Sequence, residues 1–233
     1  VEYGGPLTFF AIPGLGRSTP AEWTISGAHM AERCALFIII CLGEGILVTG
    51  ATFAGLEPTT PTVLAFLTAF IGSVAMWWIY FDVGARRGAE RIEHDQRPGL
   101  IGRATYTYAH IPIVAGIIIL AVVDEQVLAH PLGHIEPFLL ASLMGGALLF
   151  LGGAMVFKRP SSRTGRWPLS HLVGLGLFVL LGGWAFFAHP QPLHLHMSAT
   201  AVFVIVALWE WGSFHGGWAE RWDRYQLKKR KAG

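Results

Sequence analysis

Four ionisable residues at helical spacing interrupt the first long apolar run of this sequence. They are His29, Glu32, Arg33 and Glu44, and their neighbours are mostly leucine, isoleucine and phenylalanine. On an α-helix with about 100° per residue, the four occupy one stripe roughly 120° wide. Histidine and carboxylate side chains exchange protons, and arginine binds anions or balances carboxylates. The stripe therefore predicts a site for protons, ions or a small charged solute.

A second polar stripe occurs in a later apolar run. Arg103, Tyr106 and His110 fall within about 60° of one another on a helical wheel, and Pro112, which predicts a kink, follows them. If the two stripes face each other, Glu44 and His110 would be the proton or cation groups, with arginines as charge partners. A satisfied hydrogen-bond network between helices explains the second stripe equally well.

Secondary candidates lie where the second apolar run ends. Trp78 and Asp82 belong to the segment Trp77-Trp78-Ile79-Tyr80-Phe81-Asp82. Tryptophan and tyrosine at such a position are typical of an aromatic belt at a membrane interface. Asp82 is expected to pair with Arg86 or Arg33. Glu210, between two tryptophans, is expected to be interfacial as well.

Five further histidines are predicted to lie in loops on the outer side. A metal site or a pH sensor would need several of them at ligand spacing, which Pro131, Gly133 and Pro190 interrupt. We therefore predict no metal and no cofactor. We interpret these histidines as loop residues that stand where basic residues are excluded. The five are His130, His134, His189, His194 and His196.

The composition indicates a membrane protein. Hydrophobic residues make up 53% of the chain and charged residues 14%, whereas ordinary globular chains are about 25% charged. Six runs approach the length of about 20 residues that a span needs. We therefore predict an all-α, polytopic transmembrane helix bundle with the spans Ala28–Phe53, Thr62–Phe81, Ile101–Val123, Pro137–Val156, Leu169–Ala188 and Met197–Phe214.

Lysine and arginine predict the topology. They occur in alternate loops, and the loops after spans one, three and five contain none. The positive-inside rule then places both ends of the chain in the cytoplasm. We interpret the basic tail as a topology anchor, and we predict no nucleic-acid partner. The basic residues are Arg86, Arg87, Arg91 and Arg97 after span two, Lys158, Arg159, Arg163 and Arg166 after span four, and Arg221, Arg224, Lys228, Lys229, Arg230 and Lys231 in the tail.

Depth separates Glu44 from the rest of its stripe. His29, Glu32 and Arg33 lie in the first turns of the span, where an ion pair that anchors the helix start explains them equally well. Glu44 follows Arg33 by 11 residues, roughly 16 Å along the axis. A charged side chain at that depth costs on the order of 3 kcal/mol, so we expect the carboxylate to be paired, protonated or functional.

The first span closely resembles the signature of the bacterial low temperature requirement protein A family. The resemblance rests on the segment His29-x-x-Glu32-Arg33-x-x-Leu36-Phe37-x-Ile39-Ile40-x-Leu42-Gly43-Glu44, on Trp77-Trp78-x-Tyr80-Phe81 and on Tyr108-x-His110. It implies a multi-pass protein of the bacterial inner membrane. Members of the family are nearly twice as long, and their N-terminal half carries a related Glu-Leu-Phe-Phe-Asp segment that this chain lacks. The family name records a cold-growth phenotype and implies no substrate.

The resemblance suggests a two-half architecture in which span one opens the second half. We therefore expect residues 1–25 to be a lead-in from a missing N-terminal half, 26–214 to form the six-span domain, and 215–233 to be a basic cytoplasmic tail. The expected partners are the lipid bilayer, that N-terminal half, and a proton, ion or small solute. A second copy of the chain, in a homo-oligomer, is a further candidate partner.

The leading functional prediction is a transporter- or channel-like protein with a site lined by Glu44, Arg33, Arg103 and His110. One alternative is a membrane enzyme or lipid-handling protein with a site at the cytoplasmic face near Arg33, Asp82 and Arg103. Another is a structural or sensory membrane component whose charged stripe only holds helices together. The chain has no nucleotide-binding loop, GxSxG, HExxH or dinucleotide-binding glycine motif, which makes an enzyme the less favoured class.

Overall fold

The computed structural model describes residues 27–82, 103–159 and 167–214, together with the isolated residues 11 and 16. Six helices are long and apolar enough to cross a membrane, which confirms the predicted all-α, polytopic bundle. The predicted lead-in and basic tail fall almost wholly outside these ranges. The helices are α1 (Gly27–Ala54), α2 (Thr60–Phe81), α3 (His110–Ala129), α4 (Pro137–Lys158), α5 (Leu169–Ala188) and α6 (Pro192–Phe214), and a π-helix (Arg103–Tyr108) leads into α3.

Prolines and a capping box start several of these helices. Pro137 and Pro192 are the first residues of α4 and α6, a position where the missing N–H of proline costs nothing. At the start of α2 the Thr59 side chain accepts from the backbone of Thr62, and the Thr62 side chain accepts from the backbone of Thr59. The same Pro-rich segments that separate the apolar runs in sequence therefore also begin the spans.

Glycines bring α3 and α4 into direct backbone contact. A Cβ at Gly116 of α3 would lie 2.6 Å from the amide nitrogen of Phe150 and 2.7 Å from the carbonyl oxygen of Gly146. A Cβ at Gly153 of α4 would lie 2.9 Å from the amide nitrogen of Ile113. Lipid tails are as apolar as leucine, so helices in a bilayer gain from such close packing. This contact fixes α4 beside the start of α3, where the polar stripe of span three lies.

The bundle has two peripheral helices. The helix α3 packs extensively on α4 and α1, α2 packs on α6, and α5 packs on α4 and α6. In both α1 and α5 only 22% of the most apolar window is buried, against 56% in α6. The helices α1 and α5 therefore present broad faces to the surroundings of the bundle.

Two span boundaries differ from the prediction for a single reason. The third span continues to Ala129 and not only to Val123, and the sixth begins at Pro192 and not at Met197. Asp124 and His196 lie just beyond the predicted ends of these spans, and they pair with each other inside the bundle at 2.7 Å between the carboxylate Oδ1 and Nε2. Pairing satisfies both polar groups, so the helices continue through them.

Candidate functional site

His110 is the centre of a buried polar cluster. Its Nε2 lies 2.8 Å from the hydroxyl of Tyr80 on α2, and its Nδ1 lies 3.0 Å from the carbonyl oxygen of Thr105 in the π-helix. Only 5% of His110 and 1% of Tyr80 are exposed. The cluster therefore joins α2, α3 and the π-helix through one imidazole ring.

The partners of the ring determine its tautomer. A carbonyl oxygen only accepts hydrogen bonds, so Nδ1 of a neutral His110 carries the proton and donates to Thr105. Nε2 is then unprotonated, and its lone pair accepts a hydrogen bond from the Tyr80 hydroxyl. The imidazole is held with its basic nitrogen facing a hydroxyl that can either donate or accept.

Aromatic rings enclose this pair. Tyr106 stacks on His110 with ring centroids 5.6 Å apart and an interplanar angle of 16°, and Phe157 of α4 meets the same imidazole edge-on at 4.9 Å. The Tyr106 hydroxyl and the Thr105 hydroxyl are buried without a hydrogen-bond partner among the described residues. Buried hydroxyls of this kind normally bind a water or another polar guest.

The π-helix brings these side chains together. Its six residues, Arg103–Tyr108, are separated from α3 only by Ala109, and π-helical turns are frequent at functional sites. An ordinary α-helical wheel also put Arg103, Tyr106 and His110 on one stripe. The structure brings Tyr106 and His110 into contact, and it places Arg103 at the first position of the π-helix.

Cys34 connects this cluster to the outer face of α1. Its Sγ lies 3.5 Å from the carbonyl oxygen of Tyr106. On the other side, Cys34 lines an open groove of about 530 Å³ together with Arg33, Phe37 and Ile40, among others. Cys34 therefore both lines the groove and contacts the backbone of Tyr106, which belongs to the polar cluster.

The charged residues of span one all lie on exposed positions. His29, Glu32, Arg33 and Glu44 are exposed, although Glu44 is in the middle of α1. No hydrogen bond or ion pair joins Glu44 to another side chain in the part of the chain that the structure describes. The described bundle thus encloses His110 and leaves Glu44 on the open face of α1.

The secondary candidates, Trp78 and Asp82, lie at the C-terminal end of α2, close in sequence to Tyr80. Asp82 is the C-cap of α2, its backbone N–H donates to Trp78, and it is partly buried. Trp78 meets Trp211 of α6 edge-on at 6.5 Å. Arg86, the predicted partner of Asp82, lies outside the described residues.

A buried ion pair at this end was missed by the sequence analysis. Lys158 was assigned to a loop and Glu210 to the interface, but they are only 6% and 3% exposed, and Lys158 Nζ lies 2.6 Å from both carboxylate oxygens of Glu210. Lys158 also donates to the carbonyl oxygen of Ile79. The lysine therefore joins α4, α6 and α2. Opposite charges at matching depths of spans four and six were the signal that would have predicted it.

A fully buried histidine lies close to this ion pair. His171, near the start of α5, is 0% exposed, and its Nδ1 lies 3.2 Å from the hydroxyl of Ser170. Lys158 is near enough to interact with it electrostatically. One histidine near the start of a span has no distinctive pattern in the sequence, so His171 was not among the predicted site residues.

The placement of two outer histidines was also wrong. His194 and His196 belong to α6 and not to a loop, and His196 is only 4% exposed because it pairs with Asp124. His130 and His189 are the C-caps of α3 and α5. Within the described ranges, no group of three or more histidine, cysteine, aspartate or glutamate side chains has an arrangement that would hold a metal ion.

Comparison with known proteins shows the family to which the chain belongs. An uncharacterized protein of Rhizobium meliloti (strain 1021) is 43% identical over 215 residues, which are 91% of this chain and 51% of that protein. The chain thus spans about half the length of this curated relative. No solved structure matches this chain. Residues 1–208 match the family described as bacterial low temperature requirement A protein (LtrA). With six helices able to cross a membrane, the chain belongs to this family and is a multi-pass bacterial membrane protein.

Proposed function

We propose that this protein is transporter- or channel-like and moves a proton, an ion or a small solute across the bacterial inner membrane. The observation that carries the proposal is the His110–Tyr80 hydrogen bond inside an apolar bundle, at 2.8 Å. Ionisable residues within a membrane are costly and typically serve ion or proton pathways. His110 is the proton-handling group in this proposal.

The pair keeps its contact in both protonation states. In the neutral state the Tyr80 hydroxyl donates to Nε2 of His110. When Nε2 takes up a proton, that nitrogen becomes a donor, and rotation of the Tyr80 hydroxyl lets its oxygen accept. Nδ1 donates to the Thr105 carbonyl oxygen throughout. Proton uptake therefore reverses one hydrogen bond without moving a helix, which suits a site that is loaded and unloaded repeatedly.

The open face of α1 is the proposed route to this pair. Arg33 and Cys34 line a groove there, and Cys34 contacts the backbone of Tyr106. In the proposal, Arg33 and Arg103 attract and balance charge, with His29 and Glu32 at the mouth of the groove. Glu44 lies farther along the same face and serves as the second proton or cation group. Tyr106, whose hydroxyl is buried beside His110, holds water or solute in transit.

The test is flux through the purified protein in proteoliposomes. A pH-sensitive dye trapped inside reports proton flux under an imposed gradient, and sodium, potassium and chloride gradients are applied in parallel. His110→Gln is expected to reduce the flux to the level of empty liposomes, because it removes the basic nitrogen. Tyr80→Phe removes only the hydroxyl and should slow the flux several-fold. His134→Gln, at an exposed position between α3 and α4, is the matched control and should match the unmodified protein.

Glu44→Gln is the second arm of the experiment. If Glu44 carries a proton or cation, this variant loses flux or its pH dependence while its melting temperature stays unchanged. Unchanged flux in both His110→Gln and Glu44→Gln would contradict the proposal. Lower melting temperatures with unchanged flux would instead support a structural role. A lipid that co-purifies with the unmodified protein but not with Asp82→Asn would favour a lipid-handling protein.

A further inference from the structure

The helix α1 carries a continuous exposed seam. Its residues alternate four and three positions apart, the spacing that keeps one line of a helix facing a packed neighbour. The seam starts near one end of the span, passes Glu44 in the middle and reaches the other end. All its members are exposed: Arg33, Phe37, Ile40, Glu44, Leu47, Ala51 and Ala54.

The other peripheral helix shows what a lipid-facing surface looks like in this protein. In α5 the buried share is the same as in α1, but every exposed residue of α5 is apolar, with Leu180 71% exposed and Phe187 83% exposed. The hydrocarbon tails of lipids can cover such an apolar face. The seam of α1 has a carboxylate about 15 Å from the nearer end of the helix, too deep for a short side chain to reach the polar interface. We therefore expect this face of α1 to pack against protein and not against lipid.

Small residues beside the seam leave room for a neighbour. Cβ atoms at Gly43 and Gly50 would meet no atom of the described chain within 4 Å. Glycine on the surface of a transmembrane helix lets the backbone of another helix approach closely. By contrast, Gly45 faces inward, where a Cβ would lie 3.3 Å from Ala121. One side of α1 is packed on α3, and the other is shaped for a partner that the described bundle does not provide.

We propose that the seam packs against a transmembrane helix of a second membrane domain, and that this helix presents a hydrogen-bond donor to Glu44. The relative from Rhizobium meliloti is long enough for such a domain, since the match covers only 51% of it. A second copy of this chain fits less well. Across a two-fold axis parallel to the helices, each seam residue meets its own equivalent, so Glu44 would face Glu44 and Arg33 would face Arg33. This inference does not depend on the transport function. If both proposals hold, the partner helix forms the outer wall of the groove that Arg33 and Cys34 line, and the proposed route runs between that helix and α1.

Photo-cross-linking in native membranes tests the seam. A photo-reactive benzoylphenylalanine replaces Leu47 in the protein expressed from its own gene. The control carries the same probe at Leu180 of α5, because the two leucines are 69% and 71% exposed. Mass spectrometry then identifies the cross-linked peptide. The Leu47 probe is expected to give a transmembrane peptide that lies outside this sequence and aligns with the unmatched half of the relative.

The identity of that peptide decides the proposal. It should carry an arginine, lysine, histidine or hydroxyl residue within one turn of the position opposite Glu44, and the Leu180 probe should label lipid only. Three results would overturn the inference: a Leu47 probe that labels lipid alone, one that labels a second copy of the same segment, and one that captures a membrane protein unrelated to the relative. Unchanged flux in the variants of His110 would leave the seam unaffected, so the two proposals fail separately.

Discussion

Lys158→Met is expected to lower the free energy of unfolding by about 3–5 kcal/mol, because removing one partner of a buried ion pair leaves the other charge uncompensated. Lys158 lies 2.6 Å from Glu210 and also donates to the backbone of α2. Its loss therefore frees a carboxylate that is 3% exposed and removes a link among three helices. Chemical unfolding in mixed micelles measures the change.

The double variant Lys158→Met/Glu210→Leu separates the charge from the packing. Replacing both members of a buried pair with apolar residues is often neutral, so this variant should recover most of the lost stability. Arg159→Met is the matched control, because Arg159 follows Lys158 directly but is exposed and lies over the ring of Trp167 at 4.3 Å. It should cost about 1 kcal/mol or less. A double variant as unstable as Lys158→Met would contradict this account.

Gly116→Ala should disrupt the α3–α4 contact. Its added methyl group would lie under 3 Å from backbone atoms of Phe150 and Gly146, and backbone, unlike the end of a side chain, cannot move aside. The helices must separate, at a cost of about 1–3 kcal/mol or more. Because α4 carries Phe157 against His110, we also expect reduced flux in proteoliposomes.

Gly145→Ala is the control for this prediction. Gly145 belongs to the same helix pair, but a Cβ there would meet nothing within 4 Å. Alanine favours helices over glycine by up to about 1 kcal/mol, so this variant should be neutral or slightly more stable. Melting temperatures in detergent distinguish the two variants. Equal melting temperatures would show that the backbone contact is not essential.

The number and order of the spans could be predicted from the sequence, because a bilayer imposes its thickness on every helix that crosses it. Four of the six runs were predicted with boundaries close to those of the helices. The third and sixth spans were predicted too short, because one was ended at Val123, just before Asp124, and the other was begun at Met197, just after His196. The polarity of one residue does not reveal whether another helix supplies its partner.

The candidate site could be predicted only in part. The spacing of Tyr106 and His110 correctly put them on one side of span three, because residues three or four apart share a helix face. Tyr80 was assigned to an interfacial belt, since an aromatic residue near the end of a span looks the same whether it faces headgroups or an imidazole. The roles of Arg33, Arg103 and Glu44 stay predictions that the flux and cross-linking experiments address.

The sequence by itself predicted the six apolar helices that the described residues form, the LtrA family and costly charges in the first span. Length, hydropathy and a local motif are properties of single helices, and they can be derived from one chain. Only the tertiary structure decided which charges are enclosed. It buried Lys158 with Glu210 and Asp124 with His196, and it left Glu44 exposed. Whether a polar group in a membrane is satisfied depends on which helix lies beside it, and that is a property of the packed bundle.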